Sequence, residues 1–208
     1  MSLPREQCKA RHPLLKKRTA RELERYWGLG MGRKDMVRWD PDRGVRLEGA
    51  PRHGYALYLG DVFGIDTKQG WAFEGIGLYL TRLLTGTRSS WYVEQEKGTR
   101  AGGKSSIDSM PEKEVNWMAE AHKLLTTGRP PDLGELMEKP INALGVKELV
   151  LSYALSAYFL EGHHEKLPQL LSAVGTRKVK PVPALSEVLG MDPVELRERL
   201  TRWLKERK

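Results

Sequence analysis

The sequence predicts a mainly α-helical domain with a small β-hairpin near its N-terminus. Apolar residues at helical spacing occupy most of the chain after residue 111, and glycines and prolines end each of these segments. No internal repeat and no second apolar core divides the chain. The composition, 39% hydrophobic and 30% charged over 208 residues, is that of an ordinary soluble protein. We therefore expect a single domain over residues 1–208.

Residues 1–50 predict a basic N-terminal helix followed by the hairpin. Apolar residues recur at near-helical spacing over residues 13–27, and Gly28 and Gly30 end that segment. Over residues 33–48, two short apolar runs flank the sequence D-P-D-R-G at 40–44, whose residue types suit a tight reversal of the chain. This is the small β component of the predicted fold.

Residues 51–110 predict two helices and a flexible loop. Residues 55–63 are almost uniformly apolar, and periodicity alone leaves open whether they form a buried strand or a short buried helix. Residues 71–84 predict a helix. Over residues 85–111 the composition changes to Gly, Ser, Thr and Lys, which predicts an exposed loop. The helix over 71–84 is expected to face the core with an apolar stripe made of Phe73, Ile76, Leu80, Leu83 and Leu84.

Residues 111–208 predict a helical bundle. The helix over 146–160 is apolar around most of its circumference and is expected to be the central buried helix. The final helix begins with Asp192 as N-cap and Pro193 at the first helical position. Its inner stripe is Leu196, Leu200, Trp203 and Leu204. The other predicted elements are helices over 112–127, 133–138, 166–174 and 185–189, with a proline-bounded connector over 176–183.

The net charge of +8 comes from the two ends of the sequence, because residues 151–208 carry 10 Lys and Arg against 7 Asp and Glu, and residues 1–50 carry 13 against 7. A basic helical run there has two interpretations, a solvated helix face or a surface that follows the phosphates of a nucleic acid. The run consists of Lys16, Lys17, Arg18, Arg21 and Arg25. A nucleic-acid surface would also use Trp27, Arg33, Lys34 and Trp39.

Cysteine content and hydropathy exclude other classes. Cys8 is the single cysteine, so neither an intramolecular disulfide nor a cysteine-rich zinc site can form. No apolar run approaches the roughly 20 residues of a membrane helix, and residues 1–25 lack the apolar region of a signal peptide. We expect no membrane partner. The compartment stays open, with the cytoplasm as the default.

The stretch W-A-F-E-G-I-G-L-Y-L-T at 71–81 resembles the W-x-x-E-G-x-A-x-Y element of gluzincin zinc peptidases. In that family the glutamate is the third metal ligand, and an H-E-x-x-H helix upstream supplies the general base and two histidines. The resemblance implies Glu74 as a ligand and a helix over 55–63. His53 is the histidine at a suitable distance upstream. The base position then holds Gly54 and the second-ligand position holds Leu57, so half of the signature is missing.

The C-terminal half is similar to the helical tail of bacterial gluzincin-like domains. The similarity rests on residues 153–162, on 166–175 and on the sequence A-L-S-E-V-L-G at 184–190, followed by Trp203. It covers roughly residues 50–206. Tyr153 matches the position where the family's tyrosine steadies the developing oxyanion. The alternative for Tyr153 is a buried core tyrosine. The alternative for His53 is a structural role, and the alternative for Glu74 is complementation of a helix dipole.

These residues predict a degenerate site. Hydrolysis at zinc needs three protein ligands, a water and a nearby carboxylate, and His53 and Glu74 supply two ligands at most. We therefore expect a gluzincin-like domain without catalytic activity or cofactor, which binds or scaffolds a peptide or protein between the helices of Trp71 and Tyr153.

Two alternatives stay open. One is an atypical metal-dependent peptidase, with zinc as the metal and Tyr55, Asp61 or Asp66 as a substitute donor. The other is a nucleic-acid-associated protein. The neighbouring His163 and His164 project about 100° apart on a helix, so we expect a surface pair at a helix junction and not a metal site.

Overall fold

A computed structural model describes residues 28–30, 36–38, 49–86, 116–128 and 130–207. For the two strands and for residues 49–53 and 85, only the backbone is described. The chain divides into two compact units, Met1–Leu47 and Glu48–Lys208, and each is described by itself. The predicted helix over 13–27, the turn at 40–44 and nearly all of the loop over 85–111 lie outside the described residues. The single domain over 1–208 stays a prediction.

The first unit contains one short pair of strands. Strand β1, Gly28–Gly30, pairs antiparallel with strand β2, Met36–Arg38, and Leu29 lies opposite Val37. The predicted hairpin, which places residues 36–39 before a turn at 40–44, is not confirmed. The observed pairing joins β2 to the segment before it along the chain.

The second unit is helical throughout its described part, where eight α-helices and one 3-10 turn are found. The mainly α prediction is confirmed. The helices are α1 Gly49–Phe63, α2 Gly70–Thr85, α3 Trp117–Thr126, α4 Leu133–Glu138, α5 Val146–Gly162, α6 Leu167–Gly175, α7 Pro181–Leu189 and α8 Pro193–Lys205, with the 3-10 turn at Ile141–Ala143.

Helix α1 settles the ambiguity of the apolar run at 55–63. The run is a helix, as the family resemblance implied. It is only partly buried, because α1 packs against α2 and α6 and turns Leu59 towards them. Tyr58 and Val62 are exposed. The helix is therefore buried on one side only, although its sequence is apolar on every side.

Helix α2 forms where it was predicted, but the predicted apolar stripe is wrong at its C-terminal end. Leu83 and Leu84 are 67% and 61% exposed. Ile76 is buried as expected. Because α2 contacts α1, α4 and α5 at once, its buried surface is wider than one stripe and includes small and polar residues. The other buried side chains of α2 are Trp71, Ala72, Glu74, Leu78 and Thr81.

Helix α5 is the central helix of the second unit, as predicted. Every residue from 149 to 159 is buried. The helix packs against α2, α3 and α8. A helix surrounded by other helices needs apolar or small residues on all sides, and the sequence of α5 satisfies that requirement.

The predicted connector over 176–183 is wrong beyond Lys180. Helix α7 begins at Pro181, four residues before the predicted start, and Lys180 is its extended N-cap. Proline is tolerated in the first turn because the backbone N–H groups there have no partner within the helix. Pro181 and Pro183 therefore lie in the first turn of this helix and are not part of a linker.

Three helices begin with a side-chain cap. Asp192 was predicted as the N-cap of α8, and its Oδ1 accepts hydrogen bonds from the backbone N–H groups of Val194 at 2.8 Å and Glu195 at 2.9 Å. Asn116 and Asp132 cap α3 and α4 in the same way. Each cap satisfies N–H groups that the helix leaves unpaired.

Replacing Asp192 with alanine is expected to lower the free energy of unfolding by about 1 kcal/mol, because two backbone donors lose their acceptor. Urea unfolding followed by circular dichroism measures the change. Glu198→Ala, at an exposed position of the same helix, is the control and should shift stability by less than about 0.5 kcal/mol. Equal effects of the two substitutions would contradict the role given to the cap.

Candidate functional site

Glu74, the metal ligand that the resemblance implies, is fully buried in α2. It is the fifth residue of a helix whose first turn carries no acidic side chain. The helix dipole acts on charges within the first turn, so complementing the dipole does not account for this carboxylate. Its full burial places Glu74 in the packed interior of the second unit. A carboxylate in that position is costly unless it is paired or hydrogen-bonded.

Gly75, the next residue, brings α2 into backbone contact with α5. A Cβ atom at this position would clash with the carbonyl oxygen of Ser152 and with Oγ of Ser156, and would lie 2.7 Å from the carbonyl carbon of Ser152. One turn earlier, the Trp71 ring packs edge-on against Phe159 with 5.7 Å between centroids. The two helices therefore leave no cleft at the level of Gly75, where the sequence placed a binding site.

His53, the other predicted ligand, lies in the backbone of α1, and its side chain is outside the described part of the chain. Helix α1 packs directly against α2, which carries Glu74. On α1, Gly54 is exposed and Leu57 is half-buried. The structure thus brings the helix of His53 and the helix of Glu74 together.

Tyr153 lies on α5 and is 7% exposed. Its ring contacts two other aromatic rings, that of Trp117 at 5.3 Å and that of Tyr79 at 5.9 Å between centroids. These contacts are those of a core tyrosine, which was the alternative to a catalytic role. The catalytic role of Tyr153 stays a prediction.

A polar network that the sequence analysis missed joins α2 and α5 to the C-terminal end of the chain. The hydroxyl of Tyr79 donates a hydrogen bond to Oε1 of Glu161 at 2.8 Å, and Arg207 forms an ion pair with the same carboxylate. The Arg207 guanidinium also lies over the Trp203 ring, 4.2 Å from its centroid. Burial and then the bond to Glu161 raise the pKa of Tyr79 to about 12, so its phenol keeps the donated proton into more alkaline solution than a free tyrosine does.

The histidine pair marks the end of α5, as predicted. His164 is exposed, and His163 is half-buried at the helix C-cap. The Nε2 atom of His163 lies 2.8 Å from the hydroxyl of Tyr158. Burial, with a smaller contribution from the positive charges of Arg199 and Lys166, lowers the pKa of His163. A neutral imidazole bonded to a tyrosine explains this residue without a metal.

Among the described residues, the side chains at the positions that the resemblance assigns do not complete a hydrolytic zinc site. Such a site takes three protein ligands in tetrahedral geometry and a carboxylate beside the bound water. Gly54 and Leu57 offer no donor atom. Asp61 and Asp66 are exposed, whereas Glu74 is buried, and Asp66 accepts a hydrogen bond from the backbone of Lys68. Within the described part of the chain, no three His, Cys, Asp or Glu residues are grouped closely enough to hold a metal ion.

The basic residues of the nucleic-acid alternative cannot be placed. Lys16, Lys17, Arg18, Arg21 and Arg25 all lie outside the described residues, as do Trp27, Arg33, Lys34 and Trp39.

Comparison with known proteins adds no family. No protein-family model, no curated protein and no solved structure has a significant match to this chain. Among the described helices, none is both long and apolar enough to cross a membrane.

Proposed function

We propose that this chain is a gluzincin-like metallopeptidase-fold domain that has lost its catalytic site and acts as a scaffold or binding module for a peptide or protein. The resemblance of residues 71–81 and of the helical tail to that family is the starting point. In this proposal the chain keeps the fold of the family but lacks the residues that its chemistry requires.

The observation that carries the proposal is the full burial of Glu74 on α2, a helix that packs against both α1 and α5. The glutamate lies on α2, next to the glycine that contacts α5, and α1 packs on the same helix. The three residues suggested by the resemblance, His53, Glu74 and Tyr153, therefore come from helices in direct contact through α2. This arrangement is the one expected when a family's helices persist around a former site.

The chemistry supports an inactive domain. With Gly54 in place of the general base and Leu57 in place of the second histidine, nothing at these positions can activate water or complete the ligand set. The close contact at Gly75 also favours a scaffold over a peptide cleft between α2 and α5, because the backbones meet there. A partner would then bind to the outside of the helical unit.

The zinc content of the purified chain tests the proposal. We expect clearly less than one zinc per chain by mass spectrometry after dialysis against a zinc-containing buffer, and no cleavage of casein. One tightly held zinc per chain that is lost in Glu74→Gln would overturn the proposal, and casein cleavage that depends on this zinc would establish the atypical peptidase instead.

Two controls separate loss of a ligand from loss of the fold. Gln has nearly the volume of Glu, so Glu74→Gln tests the carboxylate without opening a cavity, and thermal melting reports whether the variant folds. Glu120→Gln, at a partly exposed carboxylate on α3, should leave zinc content unchanged. If Glu74→Gln does not fold, removal and return of zinc on the unmodified chain decides the question.

The nucleic-acid alternative keeps the support of the charge excess in residues 1–50. Retention on heparin that falls with salt, and that disappears when Lys16, Lys17 and Arg18 are neutralised, would favour it over the scaffold.

A further inference from the structure

A basic groove with a volume of about 280 Å³ lies on the second unit. We call it the lysine groove, defined by Lys68, Lys178 and Lys180. Lys68 comes from the loop between α1 and α2, and the other two come from the loop between α6 and α7. Glu138, at the end of α4, lines the same groove, so the formal charge of its lining is +2.

Close backbone contacts hold the two loops together. Gly64 has a φ of +67°, and a Cβ there would lie 3.0 Å from the carbonyl carbon of Gly175. The Thr176 hydroxyl donates a hydrogen bond to the carbonyl oxygen of Phe63 at 3.0 Å. On the other side, the N–H of Gly70 donates to the carbonyl oxygen of Lys139 at 3.0 Å. The groove is therefore built on a fixed frame.

The three lysines have no acidic partner among the described residues. Nearby cations are paired with carboxylates. The Nζ atom of Lys139 lies 2.8 Å from Oε1 of Glu148, and the Nη1 atom of Arg177 lies 2.9 Å from Oε1 of Glu187. The nearest hydrogen-bond partner of Lys178 is the carbonyl oxygen of Gly64, at a long 3.5 Å. Three exposed ammonium groups around one groove repel each other and attract an anion.

Lys178 also occupies an unfavourable backbone conformation. Its φ of +58° lies in the left-handed region, where glycine or asparagine is the usual residue. Such unfavourable backbone conformations are frequent at ligand-binding sites. The charge at this position is what distinguishes lysine from the residues that fit the backbone better.

The groove also has an apolar part. Met137, Val174 and Pro181 line it but are buried, so Val179, which is half-buried, presents most of the apolar side-chain surface, whereas the lysines are exposed. A ligand that fits has an anionic group among the lysines and a short apolar portion against Val179. Ligand pockets run from about 300 to 1,000 Å³, so this groove, just below that range, has room for a small ligand only.

We propose that the lysine groove binds a small phosphate monoester. A phosphate monoester carries nearly two negative charges at neutral pH, and lysine binds phosphate as a compact point charge. This proposal does not depend on the gluzincin-like function, because none of the residues that form the groove belongs to the degenerate site.

Calorimetric titration with phenyl phosphate at low salt tests the proposal, since salt screens exposed charges. We expect one saturable site. The double variant Lys178→Asn with Lys180→Gln should bind at least about tenfold more weakly, because two charge-assisted contacts are lost. Asparagine tolerates the left-handed conformation, so the loop should keep its shape. Glu138→Gln should strengthen binding, because it removes the opposing charge.

The control pair Lys147→Gln with Lys205→Gln removes two exposed lysines from other positions on α5 and α8. It should leave affinity unchanged. Absence of saturable binding, or an equal loss in the control pair, would overturn the proposal. So would inorganic phosphate binding as tightly as phenyl phosphate, because the apolar side chains would then play no part. A phosphotyrosine peptide that binds more than tenfold tighter than phenyl phosphate would overturn the assignment to a small molecule. Thermal melting of every variant confirms that it is folded.

Discussion

Replacing Gly75 with alanine is expected to lower the free energy of unfolding by about 3 kcal/mol. The added methyl group would overlap the Ser152 carbonyl oxygen and Ser156 Oγ, and the Ser152 oxygen belongs to the backbone of the central helix. To relieve this overlap, α2 must move away from α5. Overpacking of a closed core costs about 1–3 kcal/mol, and a backbone clash belongs at the upper end. Urea unfolding of the variant measures the loss.

The matched control for this prediction is Gly54→Ala in α1. Gly54 is also within a helix, but a Cβ atom there would have no described atom within 4 Å apart from its chain neighbours and the backbone of its own helix. Alanine should raise stability by about 0.5–1 kcal/mol, because glycine loses more backbone entropy on folding. The same substitution is thus expected to have opposite signs at the two positions. A neutral or stabilising Gly75→Ala would show that α2 and α5 are not in backbone contact.

Replacing Trp71 with alanine is expected to lower the free energy of unfolding by about 3–5 kcal/mol. Trp71 is fully buried and is among the largest such side chains of the second unit. Its ring packs edge-on against Phe159, also fully buried, at an interplanar angle of 64°. Truncation removes that pair and leaves a cavity between α2 and α5. Thermal and urea unfolding measure the loss.

Leu83→Ala, in the last turn of the same helix, is the control for Trp71→Ala. Leu83 is 67% exposed, so its truncation should change stability by less than about 0.5 kcal/mol. The sequence pattern alone predicted Leu83 as part of the core stripe. A large loss in Leu83→Ala would therefore restore that stripe and contradict the burial found for α2.

Features that depend on neighbouring residues along the chain were predicted well. The Asp192–Pro193 start of α8 follows from the hydrogen bonds that an aspartate makes to the next backbone groups. The central position of α5 follows from its own composition, since a helix that is apolar on all sides must be surrounded. The stop of α4 before Pro140 also matched the prediction.

The candidate site was predicted less completely. The sequence singled out Glu74 as a candidate metal ligand, and the structure shows that this residue is fully buried. Its role as a ligand stays a prediction. The bond from Tyr79 to Glu161 joins residues 82 positions apart, and no local pattern indicates it. The lysine groove was missed for the same reason, because its loops meet through contacts between residues more than 110 positions apart.

By itself, the sequence determined the helical class, the ends of several helices and the identity of the central helix, because spacing, caps and prolines act within a few residues. The tertiary structure alone decided which face of α2 is buried, that position 75 has no room for a side chain, and that three lysines surround one groove. Those properties depend on which helices pack together, and a glycine that touches a distant backbone has the same sequence signal as one that touches nothing.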